Sequence, residues 1–163
     1  MKISTRGRYA LRMMLDIATN DHGEPVRIKD IAARQDISVK YLEQIVSVLT
    51  KAGYVKSIRG PQGGYRLARL PKDYTVGMIL RLTEGDLSPV SCTDSNYDCP
   101  KMQDCVTIRI WKELDEAINS VIDKYTLEDL LDWQDAKGND YVILVHPYRS
   151  ITEAGKSAEI LWG

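Results

Sequence analysis

The sequence predicts a mainly α-helical fold with one small β-hairpin. Three observations lead to this prediction. Apolar residues recur at three- and four-residue steps over most of residues 5–135, and two short helical stretches meet at a tight turn. Directly after them, a glycine-rich segment separates two runs whose apolar residues alternate as they do in strands.

Three helices are predicted in the N-terminal part of the chain. The first runs from about Thr5 to Asn20 and is followed by a turn and a short extended piece at Val26. The second covers roughly Ile28 to Gln35, and the third Val39 to Ala52. Ser38 is a suitable N-cap for the third helix, Ile37 and Leu42 occupy the positions of a hydrophobic staple, and Gly53 is expected as its C-cap.

The hairpin follows the third helix at once. Tyr54 to Ile58 forms one strand, Arg59 to Gly64 the tip, and Tyr65 to Leu67 the second strand. Two short helices joined by a tight turn form a helix-turn-helix, and a hairpin in this position is a wing. Residues 1–72 are therefore predicted to form a winged helix-turn-helix domain.

The remainder of the chain is predicted to be helical around one irregular loop. A short helix from Thr75 to Thr83 leads into a loop from Glu84 to Asp104, and a long helix from Val106 to Tyr125 follows. Thr126 caps a further helix that ends near Asp135. The apolar residues of the long helix form one predicted stripe: Ile108, Trp111, Leu114, Ile118, Val121, Ile122 and Tyr125. Residues 136–163 form a tail, with a strand-like run from Tyr141 to Val145 or partial disorder.

Charge divides the chain in two. Residues 1–72 contain 14 Lys and Arg against 6 Asp and Glu, a net charge of +8, whereas residues 73–163 carry a net charge of −9. This asymmetry suggests a basic half that meets a polyanion, although chance segregation of solvated charges explains it equally well. With no signal-peptide pattern and no membrane-spanning stretch, we expect a cytoplasmic protein that contacts no membrane.

Catalysis is not expected. The two histidines, His22 in a turn and His146 in the tail, pair with no evident nucleophile, and no phosphate-binding loop is visible. Double-stranded DNA is the expected partner instead. Lys40, Glu43 and Gln44 lie in the first two turns of the third helix, where a recognition helix meets base edges.

The wing supplies the second predicted DNA contact, because an arginine on a glycine-rich tip can enter a narrow minor groove. Arg59 and Gly60 occupy that tip. Phosphate neutralisation is assigned to Arg6, Arg8, Lys56 and Arg66, while Ser38 and Tyr41 complete the predicted set at the start of the helix. For any single helix residue, ordinary solvent exposure is an equally good interpretation.

Three cysteines, Cys92, Cys99 and Cys105, lie within the irregular loop. Six residues separate the first pair and five the second, which is wider than a structural zinc site usually allows. Thiolates also bind iron–sulfur clusters, but a cluster normally takes four protein ligands. Free thiols that bind nothing remain the alternative.

The sequence resembles the Rrf-type winged-helix regulators, a family with iron–sulfur members of the IscR and NsrR kinds and a cluster-free cysteine-metabolism repressor, CymR. The resemblance covers about residues 1–135. It rests on MKISTRGRYAL at the start, on ISVKYLEQIVSVLTKAGYVKSIRGPQGGY, and on the three-cysteine loop leading into the helix with Trp111.

The resemblance implies a homodimer that binds a palindromic operator, with residues 73–135 supplying the cysteine loop and the dimerisation helices. It implies a DNA-reading role for Glu43, Gln44 and Arg59, and an iron–sulfur cluster, [2Fe–2S] or [4Fe–4S], on Cys92, Cys99 and Cys105. One position departs from the IscR pattern: Ile108 stands where a histidine ligand is expected. In the NsrR-like pattern an acid near the N-terminus ligates, and that region offers Arg8. The alternatives for the fourth ligand are Asp94, Asp98 or Asp104, a small molecule, or no ligand at all.

Two hypotheses about control follow. The first is a dimeric repressor or dual regulator that senses iron–sulfur cluster status through its cysteine loop. The second is a cluster-free, CymR-like repressor of sulfur and cysteine metabolism, controlled by a protein partner such as cysteine synthase that docks on the acidic half. The opening MKIST and the segment TEGDLSPV, which precedes the cysteines, also resemble CymR.

Overall fold

The computed structural model describes residues 2–94 and 98–138. The described residues form six α-helices and one two-stranded sheet. In chain order these are α1 (Thr5–Asn20), α2 (Ile28–Gln35), α3 (Val39–Lys51), β1 (Val55–Ile58), β2 (Gly64–Leu67), α4 (Val76–Glu84), α5 (Ile108–Lys124) and α6 (Leu127–Gly138). Among these residues, no helix combines the length and the apolarity that crossing a membrane requires.

The core forms around α1 because this helix is buried on more than one face. Ala10, Met13, Met14 and Ile17 are fully buried, and α1 contacts α2, α3, α4, α6 and β2. Side chains from beyond Lys72 join the same apolar cluster: Tyr74, Ile79, Leu127 and Leu131. Two helices of the acidic half, α4 and α6, therefore pack on the helix that supports the basic half.

The mainly helical fold with a small sheet is confirmed, and most predicted elements are found with small shifts at their ends. The predicted bounds of α1 and α2 agree with the structure. The third helix ends at Lys51 and is capped by Ala52; Gly53 is the next residue, with a φ of 72°, rather than the cap itself. α5 starts at Ile108 and not at Val106, and α6 extends to Gly138.

The described residues of the cysteine loop, up to 94 and from 98 on, are largely irregular, as predicted, but they include two single 3₁₀ turns, Ser91–Thr93 and Met102–Asp104. The predicted strand from Tyr141 to Val145 lies outside the described residues. Thr126 caps α6 reciprocally: its hydroxyl accepts from the amide of Asp129 at 3.3 Å, and Asp129 accepts from the Thr126 amide at 2.7 Å.

Candidate nucleic-acid interface

The turn between α2 and α3 is set by one residue with an unusual backbone conformation. Asp36 adopts φ 53° and ψ 51°, the left-handed region that aspartate tolerates better than most residues. The next residue, Ile37, is buried and donates its amide to the carbonyl of Ala32 at 3.1 Å. The hydroxyl of Ser38 then accepts from the amide of Tyr41 at 3.3 Å, which starts α3.

α3 has one buried face and one exposed face. Its buried side chains, Leu42, Ile45, Val46 and Leu49, join the core around α1. Lys40, Glu43 and Gln44 are exposed, as is Ser38. The predicted base-reading side chains are thus available to a partner while the rest of the helix is fixed.

Tyr41, unlike the exposed residues of α3, is half-buried. Its ring packs edge-on against Tyr9 of α1, with the ring centroids 5.9 Å apart. The guanidinium of Arg12 lies 5.4 Å from the Tyr9 ring and donates to the side chain of Gln35 at 2.8 Å. These contacts hold the start of α3 and the end of α2 against α1.

A third extended segment pairs with the wing and joins it to the helices of the domain. β1 and β2 pair antiparallel, with Val55 opposite Leu67 and Ile58 opposite Gly64. Val26 pairs with Tyr65 through two backbone hydrogen bonds of 2.9 Å, in the place where a short extended piece is predicted. A Cβ on Gly64 would lie 2.6 Å from the Val26 carbonyl oxygen, so this close approach requires glycine.

Arg59 and Gly60 lie exposed at the wing tip. Gly60 has a φ of 116°, and the amide of Gly63 donates to its carbonyl at 2.9 Å. Arg27, just before α2, donates to the side chain of Gln62 at 2.6 Å. Sequence reasoning did not single out this link, because nothing in the spacing of Arg27 and Gln62 indicates that they meet.

The basic residues assigned to phosphate contact divide into two groups. Arg6, Arg8 and Lys56 are exposed. Arg66, in contrast, forms an ion pair with the buried carboxylate of Asp21 at 2.8 Å, which gives it a structural partner inside the protein. The sequence does not indicate this ion pair, because Asp21 and Arg66 lie 45 positions apart.

The three cysteines are half-buried in the loop, and their environments differ. Partial burial raises the pKa of the Cys92 thiol, and a hydrogen bond with Cys99 adds to the rise. Cys105 lies 3.2 Å from the hydroxyl of Thr107, a contact that lowers the pKa of the Cys105 thiol.

Soft thiols in an irregular loop are a suitable donor type for an iron–sulfur cluster. Within residues 2–94 and 98–138, however, no three side chains of His, Cys, Asp or Glu are grouped as a metal site. Ile108, at the first position of α5, offers no donor atom. The donor chemistry therefore suits a cluster: Cys92 shares a hydrogen bond with Cys99, and Cys105 is close enough to contribute to the raised pKa of the Cys92 thiol.

α5 has two apolar faces rather than the single predicted stripe. Ile108, Trp111, Ile118, Ile122 and Tyr125 are half-buried on the side that meets the body of the protein. Leu114 and Val121, placed in the same stripe by sequence, lie on another face together with Ile110, and their exposed fractions are 43%, 55% and 61%. Ile110, Leu114, Ala117 and Val121 are spaced by four, three and four residues, the a/d spacing of a helix that pairs with another helix.

A helix-turn-helix whose second helix exposes a polar face, followed by a hairpin wing, defines the class of winged-helix DNA-binding proteins. The particular family follows from comparison with known proteins: residues 3–133 match the Rrf2 family, described as an iron-dependent transcriptional regulator. The chain belongs to the Rrf2 family of DNA-binding transcriptional regulators, which are not enzymes.

Similar proteins support this assignment. The protein named rrf2 of Nitratidesulfovibrio vulgaris Hildenborough is 47% identical over 131 residues, covering 80% of this chain and 87% of that protein. The structure of CymR, the global cysteine regulator of Bacillus subtilis, has a TM-score of 0.67 at 42% identity and covers 82% of this chain and 98% of that one. The structure of IscR from T. potens has a TM-score of 0.68 at 41% identity, with coverage of 88% and 93%.

Proposed function

We propose that the chain is a homodimeric, sequence-specific regulator that binds a palindromic operator through α3 and the wing. The observation that carries this proposal is the exposed polar face of α3, held by an opposite face that is packed on α1. In this assignment Gln44 pairs with adenine, Glu43 accepts from cytosine, and Lys40 reaches guanine or phosphate. Arg59 enters the minor groove from the wing tip, flanked by Gly60.

Operator selection with the purified protein tests this assignment. Gln44→Ala is expected to weaken binding to the selected operator by about 1–3 kcal/mol and to relax the preference at one base pair of each half-site. Arg59→Ala is expected to weaken binding most where the flanking minor groove is narrow. Arg109→Ala removes an exposed arginine from α5 and serves as the control. Unchanged affinity and base preference in the Gln44 and Arg59 variants would rule the assignment out.

We further propose that the cysteine loop makes the regulator responsive to iron–sulfur cluster status. Cys92, Cys99 and Cys105 would hold the cluster, which when bound supplies sensitivity to iron supply and to oxidants. The chain's own contribution is positional: the loop connects the end of α4 with the start of α5, so its conformation acts on both helices.

Iron and sulfide analysis of anaerobically purified protein is the direct measurement. We expect bound iron, a thiolate-to-iron absorption band after reconstitution, and loss of both in a triple Cys→Ser variant. An iron-free, colourless product that binds its operator normally before and after reconstitution would contradict cluster sensing and leave the DNA interface untouched.

A second candidate is control by a protein partner, with no cluster. Ile108 in place of a ligand and the likeness to CymR over nearly all of that structure favour it. The partner would be a metabolic enzyme such as cysteine synthase, docking on the acidic half. Retention of that enzyme by both wild type and the triple Cys→Ser variant, with unchanged operator binding, supports this candidate over the cluster.

A further inference from the structure

Glu84 connects two parts of the molecule that lie far apart in sequence. It is the last residue of α4, and it reaches the first turn of α1. Its Oε1 accepts from the hydroxyl of Ser4 at 2.6 Å and from the amide of Gly7 at 2.9 Å, and its Oε2 accepts from the amide of Ser4 at 3.2 Å. Three hydrogen bonds thus tie this carboxylate to one helix end.

The site suits a carboxylate for two physical reasons. The first amides of a helix have no partner within the helix, and the helix dipole favours negative charge there. The Ser4 hydroxyl accepts from the amides of Arg6 at 3.1 Å and Gly7 at 3.3 Å, and Glu84 supplements this cap as a second acceptor for the Gly7 amide. Gly7 is required for the approach, since a Cβ at this position would collide with the Glu84 carboxylate.

The first turn of α1, which Glu84 holds in place, carries two exposed arginine side chains. Arg6 and Arg8 are exposed on the turn that the carboxylate holds, and the sequence predicts that both contact the DNA backbone. A flexible first turn would have to be ordered on binding, and that ordering costs free energy. A turn held by Glu84 presents these guanidinium groups without that cost.

Glu84 is also attached to the regulatory part of the chain. Gly85, with a φ of 81°, follows it and begins the cysteine loop. One turn earlier, Arg81 of α4 donates to Asp123 of α5 at 2.7 Å and to Asn119 at 2.6 Å. α4 is thereby bonded to α5 through Arg81 and to α1 through Glu84.

We propose that Glu84 is a positioning residue for DNA binding: it sets the first turn of α1, and with it Arg6 and Arg8, for contact with the operator backbone. The role rests on the proposed function as a DNA-binding regulator and on the predicted phosphate contacts of Arg6 and Arg8, and it is independent of any cluster. Through α4, the same carboxylate makes the placement of these arginines dependent on the helix that leads into the cysteine loop.

Charge alone predicts the opposite effect of removing this residue. Glu84→Ala deletes one negative charge from a protein that binds a polyanion, and electrostatics by itself would tighten binding. We expect a loss of operator affinity of about five- to tenfold instead. Glu24→Ala removes the same charge from an exposed turn and is the matched control, with affinity unchanged or slightly higher.

A double-mutant cycle separates positioning from general destabilisation. In an Arg6→Ala/Arg8→Ala background, Glu84→Ala is expected to cost less than about twofold, because the groups it positions are gone. Glu84→Gln, which keeps one acceptor oxygen, should restore most of the affinity. Hydrogen exchange at the Gly7 amide should accelerate in Glu84→Ala while amides of α3 keep their protection.

Three results would overturn the proposal, and they can be distinguished. If the arginine variant weakens binding and Glu84→Ala does not, or if Glu84→Ala costs the same in both backgrounds, the role of Glu84 is wrong and the interface stands. If the arginine variant binds with wild-type affinity, the contact at α1 is wrong as well, while Gln44→Ala still tests α3.

Discussion

At the scale of single residues, buried carboxylates organise the DNA-binding half. Asp16 of α1 is almost fully buried and accepts from Arg34 at 2.6 Å and from Gln35 at 2.7 Å. Both partners lie at the end of α2, directly before the turn that sets α3. Asp16 therefore acts on the helix-turn-helix geometry from inside the core, and its hydrogen bond to Arg34 raises the pKa of that arginine further.

Asp16→Ala is predicted to destabilise the fold by roughly 2–4 kcal/mol, because it removes the buried partner of a charged group and leaves polar atoms unpaired. Urea unfolding measures the loss. Arg109→Ala, which breaks an exposed pair with Glu113 at 3.0 Å, is the control and should change stability by less than about 0.5 kcal/mol. If both substitutions lowered the free energy of unfolding equally, the burial of Asp16 would not be the cause of its effect.

The exposed polar positions of α3 could be predicted from the sequence, whereas the buried polar residues that support this helix could not. Lys40, Glu43 and Gln44 were found because helical periodicity separates apolar from polar positions along α3. Asp16 was missed because its partner comes from another helix, 18 residues away. A buried aspartate within an apolar helical face is the signal that would have indicated it.

At the scale of elements, α5 was predicted well in extent and less well in its surface. One stripe was expected because residues three and four apart share a face, yet a long helix can pack on its own domain and on a second helix at once. Ile110, Leu114, Ala117 and Val121 are exposed at the spacing of such a second face, and we propose that it contacts the partner helix of a homodimer. The two faces differ in solvent exposure, which the periodicity of apolar residues does not predict.

Leu114→Asp together with Val121→Asp is predicted to convert the proposed homodimer into a monomer, since burying two carboxylates in a paired apolar face is strongly unfavourable. Analytical ultracentrifugation measures the mass. Ser120→Asp places a carboxylate on the exposed flank of the same helix and should leave the dimer intact. A wild-type monomer, or a double variant that still dimerises, would show that this face is not the interface.

The link between α4 and α5 is predicted to respond to acid. The hydrogen bond from Arg81 holds the pKa of the Asp123 carboxyl below its usual range. A carboxylate with a depressed pKa in the folded state stabilises the fold above its unfolded pKa, and that contribution is lost as the pH falls through the folded value. The effect is small because both side chains are more than one-third exposed.

Asp123→Asn should therefore lower stability by about 0.2–1 kcal/mol at pH 7, and the difference from wild type should shrink as the pH is lowered from about 5 towards 3. Urea unfolding at both ends of this range measures it. Asp132→Asn, on the exposed surface of α6, controls for the loss of one negative charge. A difference that grows on acidification would have the wrong sign for this link.

At the scale of the whole molecule, the basic and the acidic half of the chain contribute different parts of the surface, but they share one core. The basic half provides α3, the wing and the first turn of α1, while α4 and α6 pack on α1 from the other half. Composition revealed the charge asymmetry, but it contained no information about how the halves are joined. That joining depends on Glu84 and Tyr74, whose partners lie far away in sequence: the Tyr74 hydroxyl, for example, donates to the Tyr54 carbonyl at 2.8 Å.

The basic surface makes a prediction about salt. Each phosphate contact releases counterions, so operator affinity should fall steeply as salt rises. Arg8→Ala and Lys56→Ala, tested separately, should each weaken binding to all sequences alike and reduce the salt slope by about 1 for each charge lost, hence by about 2 for a homodimer. Arg109→Ala deletes the same charge from α5, where the side chain is 86% exposed, and should leave the slope unchanged. An equal reduction in all three variants would mean that the salt dependence reflects net charge, and that Arg8 and Lys56 do not contact the DNA backbone.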